Sequence, residues 1–227
     1  MSRVRNIKGP NYNGSGQAKA SPLRSVRDRL KPVLWFRNMG LFGADLPEGF
    51  RYADDFITPA EEASLAAHIA KVQFSTFEMR GVAARRRVAF FGSAYDSRNT
   101  PTAELPEFLF PLRARLAEWV WVKPEDFAMA LINEYPPGAP IGWHRDAPQY
   151  GMVAGVSLLT ACRMKLRPYV SPGAHTTRSP RKTTHEIELF PRSAYLMSGQ
   201  ARSEYEHSIP SVEALRYSIT FRTLRKR

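Results

Sequence analysis

The 227-residue sequence predicts an α+β fold that is mainly β: an antiparallel double-sheet jelly roll core with flanking N-terminal helices. Three observations predict it. Many short stretches alternate apolar and polar residues, the two clear helical patterns fall in the N-terminal half, and nowhere do strands and helices alternate as a parallel sheet requires. A chain of this length fits one such domain plus an appendage.

The appendage is expected at the N-terminus. Residues 1–43 carry nine basic side chains (Arg3, Arg5, Lys8, Lys19, Arg24, Arg27, Arg29, Lys31, Arg37) against one acid, Asp28. With Gly9-Pro10 and Asn13-Gly14-Ser15-Gly16 inside it, this segment reads as a basic arm, disordered at least over its first 20 or so residues. It is either a solvated tail or a phosphate-contacting one. Residues 44–227 form the folded remainder. The net charge of +12 makes polyanions natural partners, because each neutralised phosphate releases counterions.

One cysteine, Cys162, excludes a disulfide framework within the chain and a cysteine-based zinc site, and it points to a reducing, cytoplasmic setting. It follows the apolar run 156–161 and is expected as a small buried hydrophobe. No run reaches the roughly 20 apolar residues of a membrane span, and the first residues lead into no apolar signal core. The expectation is a soluble chain, although the acid-poor, Arg-containing start is also compatible with an organellar transit peptide.

Taken in order, Gly49-Phe50-Arg51-Tyr52 reads as a short strand. Thr58-Pro59-Ala60-Glu61 is a helix start: threonine caps, proline fits the first turn and Glu61 closes a capping box. That helix is expected to reach about Val72, burying Leu65, Ile69 and Val72. His68, beside two alanines on the helix, reads as a surface or packing histidine. Residues 74–99 interleave aromatics with Arg80, Arg85, Arg86, Arg87 and Arg98, either as a hairpin with an arginine-rich solvated face or as a surface that stacks on bases while gripping a backbone. A second helix is expected from about Pro106 to Val120, with Leu109, Leu112, Leu116 and Trp119 on one face and a break at Pro111.

From Phe127 the period changes to two. Met129, Leu131, Asn133 and Tyr135 share one strand face that turns polar toward its end. Pro136-Pro137-Gly138 makes a turn into Gly142-Trp143-His144-Arg145-Asp146. Residues 151–161 read as a buried strand. Arg163 to His185, with six Lys or Arg and no acid, reads as a mobile loop holding His175 and, at its edge, His185. Glu186–Phe190 and Ala194–Met197 around Pro191-Arg192-Ser193 read as a hairpin. Finally, Leu215, Tyr217, Ile219 and Phe221 alternate with Arg216, Ser218, Thr220 and Arg222.

Two of these stretches carry chemistry. Two residues is one strand period, so His144 and Asp146 project to the same side. One imidazole and one carboxylate are two thirds of the set that holds non-haem Fe(II) on one triangular face. The third ligand is open among His68, His175, His185 and His207. The alternating C-terminal strand is either an edge strand with one wet side or a pair of guanidinium grips for carboxylates, a task suited to the planar fork of arginine.

In the order of these pieces the sequence resembles the AlkB-like dioxygenases that use Fe(II) and 2-oxoglutarate. The resemblance is carried by Asn133-x-Tyr135 with Pro137-Gly138, then His144-x-Asp146, then His207, then Arg216-Tyr-Ser-Ile-Thr-Phe-Arg222, within a span from roughly Pro47 to Leu224. It implies a double-stranded β-helix, with 44–124 as N-terminal extension and substrate lid and 125–227 as catalytic barrel. It implies His144, Asp146 and His207 as catalytic iron ligands, with O2 as co-substrate. Toward 2-oxoglutarate it implies Arg216 with Tyr135 at the distal carboxylate and Arg222 with Asn133 near the other end, Ser218 standing where the best-known sequences have Asn. Phe77, Arg80, Arg87 and Tyr95 become substrate contacts in the lid. Ala147 departs from the polar residue that family members carry there.

The activity implied is oxidative demethylation of alkylated nucleic-acid bases of the N-methyl adenine or cytosine type, releasing formaldehyde, succinate and CO2, by a monomer acting in DNA repair on single-stranded or flipped bases. The same chemistry on a protein or small molecule, and a non-catalytic nucleic-acid-binding barrel, are the alternatives.

Overall fold

The computed structural model describes residues 46–79, 82–92, 103–171 and 184–225. The basic arm 1–43 and most of the expected loop, including His175, lie outside them. The first half comprises β1 (Phe50–Ala53), α1 (Pro59–Ile69), β2 (Ser75–Met79), β3 (Val82–Gly92) and α2 (Phe110–Val120). The second comprises β4 (Phe127–Tyr135), β5 (Ile141–His144), β6 (Tyr150–Leu158), β7 (Cys162–Pro168), β8 (His185–Leu189), β9 (Ala194–Met197), α3 (Gly199–Ser203), β10 (Tyr205–Ile209) and β11 (Arg216–Leu224).

The strands form two antiparallel sheets, β1-β9-β6-β11-β4-β3-β2 and β5-β10-β7-β8. Three layers follow from where the apolar faces go. Leu65 and Ile69 of α1 and Leu112, Leu116 and Trp119 of α2 pack with Ile132, Val156, Ile219 and Phe221 on the outer face of the larger sheet. On the inner face Tyr135, Val153 and Tyr195 meet Met164, Leu166, Leu189 and Ile209 of the smaller sheet. Each inward strand residue alternates with an outward one, so a single strand such as β11 serves both layers.

α1 starts as expected: Thr58 Oγ1 accepts from the Glu61 amide and Glu61 Oε2 from the Thr58 amide, closing the capping box. It stops at Ile69, three residues short of Val72, which packs on the core from the following turn as the chain leaves for β2. Pro111 breaks nothing. A short 3-10 turn, Glu107–Leu109, runs into α2, and Pro111 falls in the first helical turn, where its missing N–H has no intrahelical acceptor to lose.

Three strand expectations are corrected. Residues 163–168 belong to β7, not to a loop, because Met164 and Leu166 point into the core between Arg163, Lys165 and Arg167, which face out toward Glu186, Glu188 and Glu206. His185 accordingly opens β8. The segments around Pro191-Arg192-Ser193 are not the arms of a hairpin: β8 pairs with β7, whereas β9 pairs with β1 and β6. The turn carries the chain from one sheet to the other, with the Arg192 amide donating to the Ser157 carbonyl and the Ser157 amide to the Ser193 carbonyl. Lastly, β11 is no edge strand. It lies between β4 and β6 at the centre of the larger sheet, with its polar face turned into the sandwich.

Candidate active site

His144 and His207 are direct cross-strand partners on β5 and β10, so their side chains leave the same face of the smaller sheet. Their ring centroids are 4.2 Å apart. The backbone past the end of β5 carries Asp146 to the same place, with Oδ2 3.9 Å from His207 Nε2. All three line one cavity between the sheets.

The opposite wall is built on a ladder of cross-strand pairs between β4 and β11, Tyr135 with Arg216, Asn133 with Ser218, Leu131 with Thr220 and Met129 with Arg222, all of which line the cavity except Arg216. Each pair shares a face, and the alternation legible in both segments thus becomes one surface, polar along β11 and at Asn133 and Tyr135 and apolar at Leu131 and Met129. Arg222 Nε and Nη2 donate to Asp146 Oδ1 at 2.9 and 2.7 Å, and its Nη1 to Thr220 Oγ1 at 3.0 Å. The guanidinium that the resemblance implies near 2-oxoglutarate thus lines the cavity and is also the ion-pair partner of Asp146. Arg216 is buried behind Tyr135, 5.0 Å from the ring centroid. Its Nε donates to Ser157 Oγ at 3.2 Å, while buried Nη1 has no partner among the described residues.

Burial sets the charge states. Loss of water pushes the His207 imidazole down to about 3, with His144 beside it acting in the same direction, and lowers His144 as well. Burial, the largest single influence, raises the Asp146 carboxyl, but Arg222 together with His207 and His144 outweighs it and holds the group well below the ordinary carboxylate range. Two neutral imidazoles and a charged carboxylate are the protonation states that metal binding requires.

Among the described residues no three His, Cys, Asp or Glu side chains stand as a closed metal cluster. The residues present nonetheless fit an iron site. His144 Nδ1 lies 2.9 Å from the Gly142 carbonyl, the contact that fixes a ligating histidine with Nε2 free. Donors sharing an ion at about 2.1 Å and a right angle are roughly 3 Å apart, so the 3.9 Å separation of His207 and Asp146 closes by a side-chain adjustment. The orphaned Arg216 Nη1 in turn fits a carboxylate, since a buried guanidinium nitrogen without an acceptor is costly.

The remaining expected contacts divide. Arg87 is on the outer face of β3, stacked over Phe74 and ion-paired with Glu134 at 2.5 Å, away from the cavity. Its neighbour Arg86 faces in and donates to Asn133 Oδ1 at 2.9 Å. Register decides between them: Arg87 is opposite Glu134, so residues 86, 88 and 90 take the inner face. Phe77 lies on β2, and Arg80 and Tyr95 fall outside the described residues. His68 stacks on Phe108 and His185 against Tyr205, both outside the cavity. Sequence reasoning missed Arg86, Phe90, Tyr150 and Tyr195 as cavity residues. For the first two, alternation groups Arg86 with Phe90 on one face, but only the register of β3 against β4 shows that this face is the inner one.

Residues 49–222 match the 2OG-Fe(II) oxygenase superfamily, and the chain belongs to it. It is a dioxygenase fold whose members use Fe(II), 2-oxoglutarate and O2. Within that superfamily the chain is AlkB-like: it is 30% identical over 177 residues to the Arabidopsis thaliana "Alkylated DNA repair protein ALKBH8 homolog". The match covers 69% of this chain and 49% of that relative, so the chain spans about half the relative's length. The solved structure of OsALKBH1 superposes with a TM-score of 0.62 at 12% identity, over 78% of this chain and 99% of that one. A Pseudomonas putida prolyl-4-hydroxylase gives 0.52 at 15% identity over 79% and 94%, and a Burkholderia pseudomallei 2OG-Fe(II) oxygenase gives 0.55 at 14% over 79% and 86%. At these identities the structural likeness speaks for the double-stranded β-helix fold alone.

Proposed function

We propose that this dioxygenase oxidatively demethylates N-alkylated nucleic-acid bases. In this reading His144, Asp146 and His207 hold Fe(II), and Arg216 with Tyr135 takes the distal carboxylate of 2-oxoglutarate beside Asn133 and Ser218. Bound iron and 2-oxoglutarate supply oxygen activation: one atom of O2 enters succinate as CO2 leaves, and the other converts an N-methyl group to N-hydroxymethyl. The latter breaks at its C–N bond, returning the proton to the base nitrogen and releasing formaldehyde. Arg222 keeps Asp146 charged and aimed, and the walls between the sheets exclude water.

The observation that carries the substrate class is the cavity wall over the triad. Phe90, Met129 and Leu131 line it beside Arg86, an apolar slot with a cation at its edge that suits a flat methylated ring on an anionic strand. The AlkB-like relationship and the net charge of +12 support it. Formaldehyde release from single-stranded oligonucleotides carrying N-methyl adenine or cytosine, with Fe(II) and 2-oxoglutarate, tests it. Release from methylated peptides and not from oligonucleotides would replace it by the protein-directed alternative. Loss of 2-oxoglutarate turnover in His207→Ala, with the fold retained, tests the triad separately.

A further inference from the structure

Behind the loop that carries Asp146 sits a second buried arginine with no place in the reaction described so far. Arg202, on α3, is 5% exposed. Its Nη2 lies 3.3 Å from the Asp146 carbonyl, 2.8 Å from that of Ala147 and 3.0 Å from that of Tyr150. Two hydrogens on one nitrogen cannot serve three acceptors at full strength, so the group straddles the whole turn from Asp146 to Tyr150. From the other side Arg145 Nη2 donates to the Ser203 carbonyl at 2.7 Å, and the two contacts lash the segment to α3 in opposite directions.

α3 itself is anchored. The Ala201 amide donates to the Glu48 carbonyl, and the Ser198 amide and hydroxyl both donate to that of Gly49, each within 3.0 Å. Gly49 can approach so closely because it has no Cβ, which would stand 2.2 Å from the Ser198 carbonyl oxygen, and because its φ of +85° is open to glycine. Five residues after Arg202 comes His207 on β10. One bracket therefore joins the backbone that bears Asp146 to the backbone that leads into His207.

Filling this volume does not require a charge. A buried guanidinium that bonds neutral carbonyls is expensive to desolvate, and an apolar side chain of similar size would be cheaper. Burial lowers the pKa of Arg202 from its ordinary value, the sign of that expense.

We propose that Arg202 is a positioning residue, which fixes the Asp146 segment relative to His207 before metal binds. The proposal rests on the triad reading above. Its consequence is that Arg202 sets metal affinity and not the binding of 2-oxoglutarate.

The test uses the full chain and Mn(II) as an inert stand-in, counted anaerobically from the loss of the free-ion EPR signal. In Arg202→Met the Mn(II) dissociation constant is expected to rise tenfold or more, and in Arg202→Lys, which keeps the charge but not the fork, by less. Excess Fe(II) should restore turnover in both. A second measurement needs no variant: in the wild type, hydrogen exchange at the Tyr150 amide, which donates to the Ala147 carbonyl at 3.1 Å, should be slow before Mn(II) is added. Variants that bind Mn(II) within twofold of wild type while unfolding at lower urea overturn the proposal, as does a Tyr150 amide protected only once metal is present. A wild-type chain that takes up no Mn(II) overturns the triad reading, and the clamp with it.

Discussion

Arg216→Met separates the binding role of a residue from its structural one, because the two have opposite signs. Arg216 is 1% exposed, bonds Ser157 through Nε, interacts with the Tyr135 hydroxyl and leaves Nη1 without an acceptor among the described residues. In the protein without 2-oxoglutarate, the guanidinium is a buried charge that is poorly repaid, so an apolar side chain of similar length should leave the unliganded protein as stable or more so. With 2-oxoglutarate the sign reverses. A hydrogen bond to a charged group contributes about 1.5–3 kcal/mol, which is roughly a 13- to 160-fold weaker half-saturation once it is lost.

Thermal or urea unfolding with Mn(II) present reads both effects. At a 2-oxoglutarate concentration of about 100 times the wild-type dissociation constant, wild type gains about 2.7 kcal/mol, and a variant weakened 100-fold gains only about 0.4. A variant that loses several kcal/mol without 2-oxoglutarate yet keeps the wild-type gain with it would show that Arg216 is a structural strut and refute the assignment.

Arg222→Met should behave in the contrary way. It strips Asp146 of the cation that offsets its burial, so urea titration is expected to show a loss of about 3–5 kcal/mol at neutral pH, and a smaller one when Asp146→Asn is combined with it. In Gly155→Ala the new Cβ would meet the Tyr195 ring at 2.6 Å; a cost of about 1–3 kcal/mol in unfolding is expected, together with a higher 2-oxoglutarate requirement, since Tyr195 lines the cavity. Glu61 is held down to about 2 by Arg115 and the Thr58 amide. A depressed carboxylate stabilises fully above its unfolded pKa near 4.5 and loses that contribution as pH falls toward 2, so Glu61→Gln should flatten the acid limb of the unfolding-midpoint profile below pH 4.5 and leave less of it to lose.

What could be read in advance was whatever depends on parity within one strand. The alternation in 127–135 and 215–222 grouped Asn133 with Tyr135, and Arg216 with Ser218, on one strand face each without reference to any other part of the chain; that these faces turn inward was implied only by the resemblance. What could not be read depended on partners. Nothing local tells whether Arg86 or Arg87 faces the cavity; the register of β3 against β4 does. Pro191-Arg192-Ser193 marks a turn, but a turn signal does not say that its two flanks join different sheets. In residues 163–168, basic composition hid a period of two, since three cations on the outer face outweigh two apolar side chains when the segment is judged by charge. The buried Arg202 left no sequence signal at all: its acceptors are main-chain carbonyls some fifty residues earlier.

The position of β11 has a further consequence, for how the polypeptide reaches this state. Until residues 216–224 have been synthesised, β4 and β6 have no strand between them, and each presents an unpaired edge beside a neighbour already in place. Closure of the larger sheet is then a late, long-range event that brings in the anchoring arginines at the same moment as it removes two sticky borders. A nascent chain cut short before Arg216 should accumulate as aggregate and not as a folded protein lacking activity.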